Sequence, residues 1–175
     1  MGSEMCIRDR KITLKITLTG TPINRVLLVP DSISLIELYA MITFLFEWDK
    51  MRNHAFRFKR EGKWVELTSK TTLAQLRLLP GEEMGLVYDY PAGKCLEHTI
   101  EVLSLQDLPK PLKDYVPTCT SAEYASPGED MRVLQSLKAN WTEFSGKPAP
   151  ELWLIDDSLN FFWTVSYTHL RAHET

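Results

Sequence analysis

The run KITLKITL at positions 11–18 alternates apolar and polar residues: Ile12, Leu14, Ile16 and Leu18 face one way, Lys11, Thr13, Lys15 and Thr17 the other. A period of two marks a strand with one buried face. Thr19-Gly20-Thr21-Pro22 turns the chain, and Ile23–Val29 predicts a second strand running back. Pro30-Asp31 breaks that strand. Ser34 and Glu37 then have the spacing of a capping box, in which hydroxyl and carboxylate satisfy the free amides of a first helical turn. The apolar helix predicted from Leu35 to about Glu47 can bury Leu35, Leu38, Ile42, Leu45 and Phe46. Ile36, Tyr39 and Phe44 widen its apolar side enough for it to lie across a sheet.

HAFRFKR (54–60) alternates again, and Glu61-Gly62 predicts a tight turn into a strand KWVEL (63–67). Thr71–Leu76 reads as a short helical turn ended by Pro80-Gly81, and MGLVYDY (84–90) as a strand. Pro91-Ala92-Gly93-Lys94 predicts a hairpin loop into a long strand, CLEHTIEVLSL (95–105). Leu96, His98, Ile100, Val102 and Ser104 are expected to share one face of it. The order strand, hairpin, strand, helix, strand, strand, short helix, strand predicts an α+β fold. It resembles a β-grasp-like mixed sheet crossed by one main helix, here over residues 11–105.

Residues 106–128 are rich in proline and polar residues and read as an irregular loop. A helix from about Glu129 to Phe144 follows, so 106–150 is expected to pack as loop plus helix on the core. ELWLID and LNFFWT, joined through Asp157-Ser158, suggest a partial hairpin over 151–164.

The two ends carry a different signal. Codons for Met1–Asp9 can be chosen so that their reverse complement reads Val165–His173. Inverted copies of one oligonucleotide give that relation; two natural protein termini do not. Residues 1–10 and 165–175 are therefore expected to be translated sequencing-adapter DNA, to make few core contacts, and to carry no function. Cys6, His169 and His173 drop out of the chemical inventory, and the natural chain is expected to be truncated. Val165–Thr168 has enough β propensity to extend the preceding strand.

The remaining residues form one domain or a domain with an appendage, long enough for a real core. With 20 Lys+Arg against 23 Asp+Glu the net charge is −3, which exerts no global attraction for nucleic acid or anionic membrane. No apolar run reaches the roughly 18 residues of a membrane span. Cys95 and Cys119 do not make a disulfide framework, and a cytoplasmic location is the expectation.

The stretch LVYDYPAGKCLEHTIEV resembles the Y-x-Y-D-F-G-D-x-W-x-H hairpin of the Ri-plasmid open-reading-frame-three-like proteins, also described as TnpR-type passenger proteins of insertion elements. Tyr88, Tyr90, Gly93, Glu97 and His98 match. PTCTSAEYASPGED resembles that family's cysteine loop at Pro117, Cys119, Pro127, Glu129 and Asp130. VPDSISLIELYAMITFLFEWDKMRNHAFRF is similar to its upstream segment at Trp48, His54 and Phe56–Phe58. The departures fall on polar positions. The hairpin's acidic positions hold Pro91, Lys94 and Cys95, its tryptophan position Leu96, and the loop's second cysteine Ser126. Met131-Arg132 replaces a Gly-Gly pair. The resemblance implies a small α+β protein in which any metal-assisted or acid–base activity has been lost.

Chemistry then rests on few residues. His98 lies between Leu96 and Ile100, as a ligand or base joined by Cys119 and by Glu129 or Asp130, or as a hydrogen-bonded structural histidine; the second reading is preferred. Cys119 lacks the flanking signature of a nucleophile, and Asp156-Asp157 is better explained as turn chemistry. No Gly-rich phosphate loop or His-Glu-x-x-His pattern occurs, so no catalytic residue, metal or cofactor is assigned. Lys50, Arg52, Arg57, Lys59, Arg60 and Lys63 form the most basic stretch, interleaved with Phe56, Phe58 and Trp64. That mix suits nucleic acid through phosphate contact and stacking, or a protein partner. It also suits an amphipathic strand with Arg57 and Lys59 in solvent and the phenylalanines in the core. The expectation is a non-enzymatic interaction module, with a nucleic-acid-binding accessory protein as the alternative and a degenerate metal-dependent enzyme as a weaker one.

Overall fold

A computed structural model of the chain describes residues 10–48, 53–90, 94–107, 117–126 and 147–174. Its strands are β1 (Arg10–Leu18), β2 (Asn24–Pro30), β3 (His54–Arg60), β4 (Lys63–Leu67), β5 (Glu83–Tyr90), β6 (Lys94–Asp107) and β7 (Thr118–Glu123). The helices among these residues are α1 (Leu35–Phe46), α2 (Leu73–Leu76) and α3 (Leu152–Glu174). The strands form one sheet in the order β4-β3-β5-β6-β1-β2-β7.

Every pairing among the described strands is antiparallel, which corrects the mixed sheet expected of a β-grasp-like arrangement. β2 and β3 point the same way, as a helical crossover requires, but β1, β6 and β5 lie between them. The β5–β6 hairpin fills the gap with alternating directions, and no parallel pair remains.

Alternation decides which face is buried. Ile12, Leu14, Ile16 and Leu18 are buried while Lys11, Thr13, Lys15 and Thr17 are only half-buried. Leu27, Ile100, Leu86 and Phe56 continue the same apolar layer across the sheet, and α1 covers it with Leu35, Leu38, Met41, Ile42, Leu45 and Phe46. The capping box at α1 is present: Ser34 Oγ accepts from Glu37 N, and the Glu37 carboxylate accepts from Ser34 N. A second box, Thr72 with Gln75, starts α2. The expected strands over 54–60 and 63–67 and the helical turn near 73–76 are present at those positions.

Three further sequence expectations are overturned. In β6, Thr13 pairs with Ser104 but Leu14 with Val102, so Leu103 is an extra, bulged residue. Beyond the bulge Leu105 packs against the core, while Ser104 turns to the other face and donates to Thr13 Oγ1 at 3.1 Å. Ser104 therefore leaves the face of Leu96, His98, Ile100 and Val102. Second, Thr118–Glu123 is an edge strand on β2 and not irregular loop. Third, the expected hairpin over 151–164 is part of α3. Its inward residues Ile155, Leu159, Phe162 and Trp163 follow the helical spacing i, i+4, i+7, i+8, and Asp157-Ser158 is no turn. α3 continues through Val165–Thr168, where strand extension was expected. The 91–93 loop, the 129–144 helix and residues 1–9 of the N-terminal block fall outside the described residues, while Arg10 opens β1 and pairs with Asp107. No helix among the described residues is long and apolar enough to cross a membrane.

Candidate functional site

His98 is positioned from two directions. At the end of α1, Glu47 adopts a left-handed conformation (φ 61°), and the amides of Glu47 and Trp48 fold back onto the carbonyls of Phe44 and Thr43. This helix-ending motif turns Trp48 under the helix and onto the sheet. There its indole Nε1–H donates to His98 Nε2 at 2.8 Å. His98 Nδ1 lies 3.2 Å from Leu86 O. Since the indole can only donate, Nε2 is the acceptor and Nδ1–H donates to the carbonyl. The ring packs edge-on against Phe46 and Trp48 at centroid distances of 5.3 and 6.0 Å, and Trp48 stacks on Tyr88 at 5.8 Å. Only 1% of His98 is exposed. Burial holds its pKa down from 6.5 to about 4, against the weaker upward pull of the Leu86 bond, so the imidazole is neutral at pH 7. With both nitrogens engaged, it has no lone pair for a metal or for a substrate proton. His54 also serves packing, stacked on Tyr39 at 3.4 Å.

Cys119 and His98 do not converge. Strands β1 and β2 separate β6 from β7, roughly 14 Å at ordinary inter-strand spacing. Cys119 is buried, its amide donates to Asp156 Oδ1 at 2.8 Å, and its thiol points to Ser121 O at 3.4 Å. Burial raises the thiol's pKa, which leaves it a poor nucleophile at neutral pH. Asp156 thus anchors α3 to β7 and makes no turn. Glu129 and Asp130 lie outside the described residues. No group of three or more metal-ligating side chains occurs among the described residues.

Beside Cys119 the sequence reading missed Arg25. It occupies a core-facing position of β2, paired with Ile16, and is 2% exposed. Its Nη1 donates to the carbonyls of Asn24 (2.7 Å), Tyr124 (2.9 Å) and Glu123 (3.3 Å), and Nη2 to Ser126 Oγ (3.1 Å). Ser126 Oγ in turn donates to Leu45 O at 2.5 Å, so the guanidinium joins the β7 end to the end of α1. Desolvation lowers its pKa, with Cys119 and Glu47 pulling the other way. The signal was legible: NRVLLVP places one cation in phase with Leu27 and Val29.

The basic stretch divides over two faces of the β3–β4 hairpin; Lys50 and Arg52 fall outside the described residues. Phe56 and Phe58 are buried, as the amphipathic reading expects. Arg60 points toward the helix side, where Nη2 donates to Leu76 O (2.7 Å) and Arg77 O (3.2 Å) and lies 3.8 Å from Glu82. It caps the carbonyl end of α2. Arg57 and Lys59 share the open face with Trp64, which is 50% exposed. The Arg57 guanidinium stands 5.3 Å and the Lys59 ammonium 5.8 Å from its ring centre. Arg57 also lies 3.8 Å from Glu97. Trp64 lies over Gly85 of β5, whose missing side chain leaves room for the indole: a Cβ there would be 4.0 Å from it.

An antiparallel sheet with the described helices on one side and an exposed cation–aromatic patch on the other defines an α+β sheet protein. The family model for plasmid pRiA4b ORF-3-like proteins matches residues 9–149, and the chain belongs to that family. A crystallised protein of unknown function from Methanosarcina mazei Go1 is similar in fold, with a TM-score of 0.61 at 18% identity, covering 79% of this chain and 86% of that one. Comparison with curated proteins gives no match.

Proposed function

We propose that this chain is a non-enzymatic interaction module, a passenger-type accessory product of a mobile element, that binds through the open face of β3–β4. The observation that carries the reading is the half-exposed Trp64 with Arg57 and Lys59 over its ring, on a face that no helix among the described residues covers. A large aromatic flanked by cations supplies anchor area and directional charge, the combination that concentrates binding energy at contact surfaces. His98 and Cys119, two of the candidate reactive groups in the sequence, are engaged in internal bonds, which supports this reading. A selection of displayed random peptides on the purified protein tests the reading. The expected result is a recurring sequence pattern whose binding Trp64→Ala abolishes. No recurring pattern, or one indifferent to Trp64, overturns it.

The alternative is nucleic acid, favoured by the same cations beside an aromatic plane on which a base could stack. Titration of labelled single- and double-stranded DNA at two salt concentrations separates the two. Binding that weakens steeply with salt and is lost in Arg57→Gln/Lys59→Gln supports the nucleic-acid reading. No binding at low salt sinks it.

A further inference from the structure

We infer that the free edge of β4 takes up an acidic peptide in extended conformation as an eighth strand, which names the partner class for the interaction reading proposed above. β4 pairs with β3 on one side, and no other strand among the described residues lies beyond it. The turn fixes which of its backbone groups are free. Glu61 (φ 53°) and Gly62 (φ 77°) both have positive φ, the signature of a two-residue hairpin turn that closes on a hydrogen-bonded pair. That pair is Arg60 with Lys63. Alternation then directs the amides and carbonyls of Lys63, Val65 and Leu67 at β3, and those of Trp64 and Glu66 outward. Two residues with outward donor and acceptor suffice to seed a ladder.

The side chains specify the guest. Val65 is 51% exposed and shares a face with exposed Lys63, two residues away. Trp64 and Lys59 lie on the other face. Arg57 and Arg60 have Glu97 and Glu82 beside them, but among the described residues neither Lys59 nor Lys63 has a carboxylate partner. Cross-strand neighbours sit roughly 5 Å apart, so a guest strand places an acidic side chain against Lys63 and an apolar one against Val65, two positions apart. Its intervening residue lies beside the Trp64 indole. An extended peptide alternating in this way complements the edge in hydrogen bonding, charge and apolar surface at once.

The test uses a synthetic peptide in which glutamate and valine, spaced two apart, alternate with threonine, its binding followed by tryptophan fluorescence of the full chain. Methylating the peptide amides that face β4 should weaken binding at least about tenfold, while methylating those that face solvent should not. Glu66→Pro, which removes an outward amide that β3 does not use, should lose binding; Glu66→Gln should keep or tighten it. Equal binding of both methylated forms, or of a lysine-for-glutamate peptide, overturns the proposal, as does no binding of the parent peptide. Displacement of the peptide requirement by single-stranded DNA, with DNA bound and peptide ignored, overturns it in favour of nucleic acid. If a selected peptide pattern needs Trp64 yet survives Glu66→Pro, the interaction reading stands and strand addition falls.

Discussion

The centre of the sheet and its β4 edge are built from the same kinds of residue and do opposite things with them. Around His98, a basic side chain meets Trp48, Tyr88 and Phe46, and every polar atom of the imidazole is matched inside the core. Around Trp64, basic side chains again meet an aromatic ring, but the ring is half in water and the ammonium of Lys59 has no anion among the described residues. Composition at a site says little until the hydrogen bonds are counted. A histidine packed between a phenylalanine and a tryptophan is committed to the fold when both nitrogens are taken. A tryptophan between two cations is available when its face is open.

Truncation of the buried half should weaken the fold most. His98→Ala removes the acceptor for Trp48 Nε1–H and the donor to Leu86 O, and leaves a void between Phe46 and Trp48. Unpaired buried groups and a cavity together should cost about 3–5 kcal/mol in urea denaturation. A loss under about 1 kcal/mol would mean that His98 is held for another reason than packing.

Acid should expose the same commitment a little more gently. The folded-state pKa of His98 is depressed to about 4, below the unfolded value of 6.5, so between these values the unfolded chain binds the extra proton. Its contribution is fully present above pH 6.5 and declines as pH falls toward 4, by about 3 kcal/mol in total. Denaturation midpoints measured from pH 7.5 to 4.5 should fall in wild type and in Trp64→Ala alike. In His98→Gln that part of the pH dependence should vanish. Persistence of the full slope in the glutamine variant would assign it to carboxylates.

Much of this division was legible beforehand, and its failures have physical causes. Local rules held where local chemistry decides: the period of two in β1 and β3, the Ser34–Glu37 box and the Glu61-Gly62 turn all rest on residues a few positions apart. His98 was readable as structural from its place between Leu96 and Ile100, but its partner Trp48 was not. That bond spans 50 positions and depends on the left-handed turn at Glu47. ELWLIDDSLNFFWT misled because Leu, Ile, Phe and Trp satisfy both periods, and only the sheet edge under α3 selects the helical one. The bulge at Leu103 leaves no mark in the sequence, so Ser104 was placed on the wrong face. The basic stretch looked continuous because six cations follow one another in the chain; the pleat sends Arg60 to α2 and Arg57 to the open face.

A smaller effect is expected from the exposed half. Trp64→Ala removes a half-exposed ring and its contacts with Arg57 and Lys59, but strips no buried polar group of a hydrogen-bond partner. Stability should fall by no more than about 1 kcal/mol, against the several expected for His98→Ala. If the two variants were equally destabilised in parallel urea titrations, the open face would be part of the scaffold and the contrast between the regions would fail.

The finest test lies where the two regions touch, at Gly85. Its register partner in β6 is Thr99, next to His98, and its open face carries Trp64; an added Cβ would meet His98 O at 3.9 Å and the Trp64 ring at 4.0 Å. Both are ordinary contact distances, and Gly85 is in extended strand with no positive φ. Gly85→Ala should therefore fit without displacing the indole and reduce the entropy of the unfolded chain, a gain of roughly 0.5 kcal/mol. The gain should persist in a Trp64→Ala background, because it arises in the unfolded state and not from the ring. A loss of stability in the wild-type background that disappears without Trp64 would instead show that the indole is pressed onto the sheet. The tryptophan would then belong to the scaffold, as Trp48 does, and its exposure alone would overstate what the open face offers a partner.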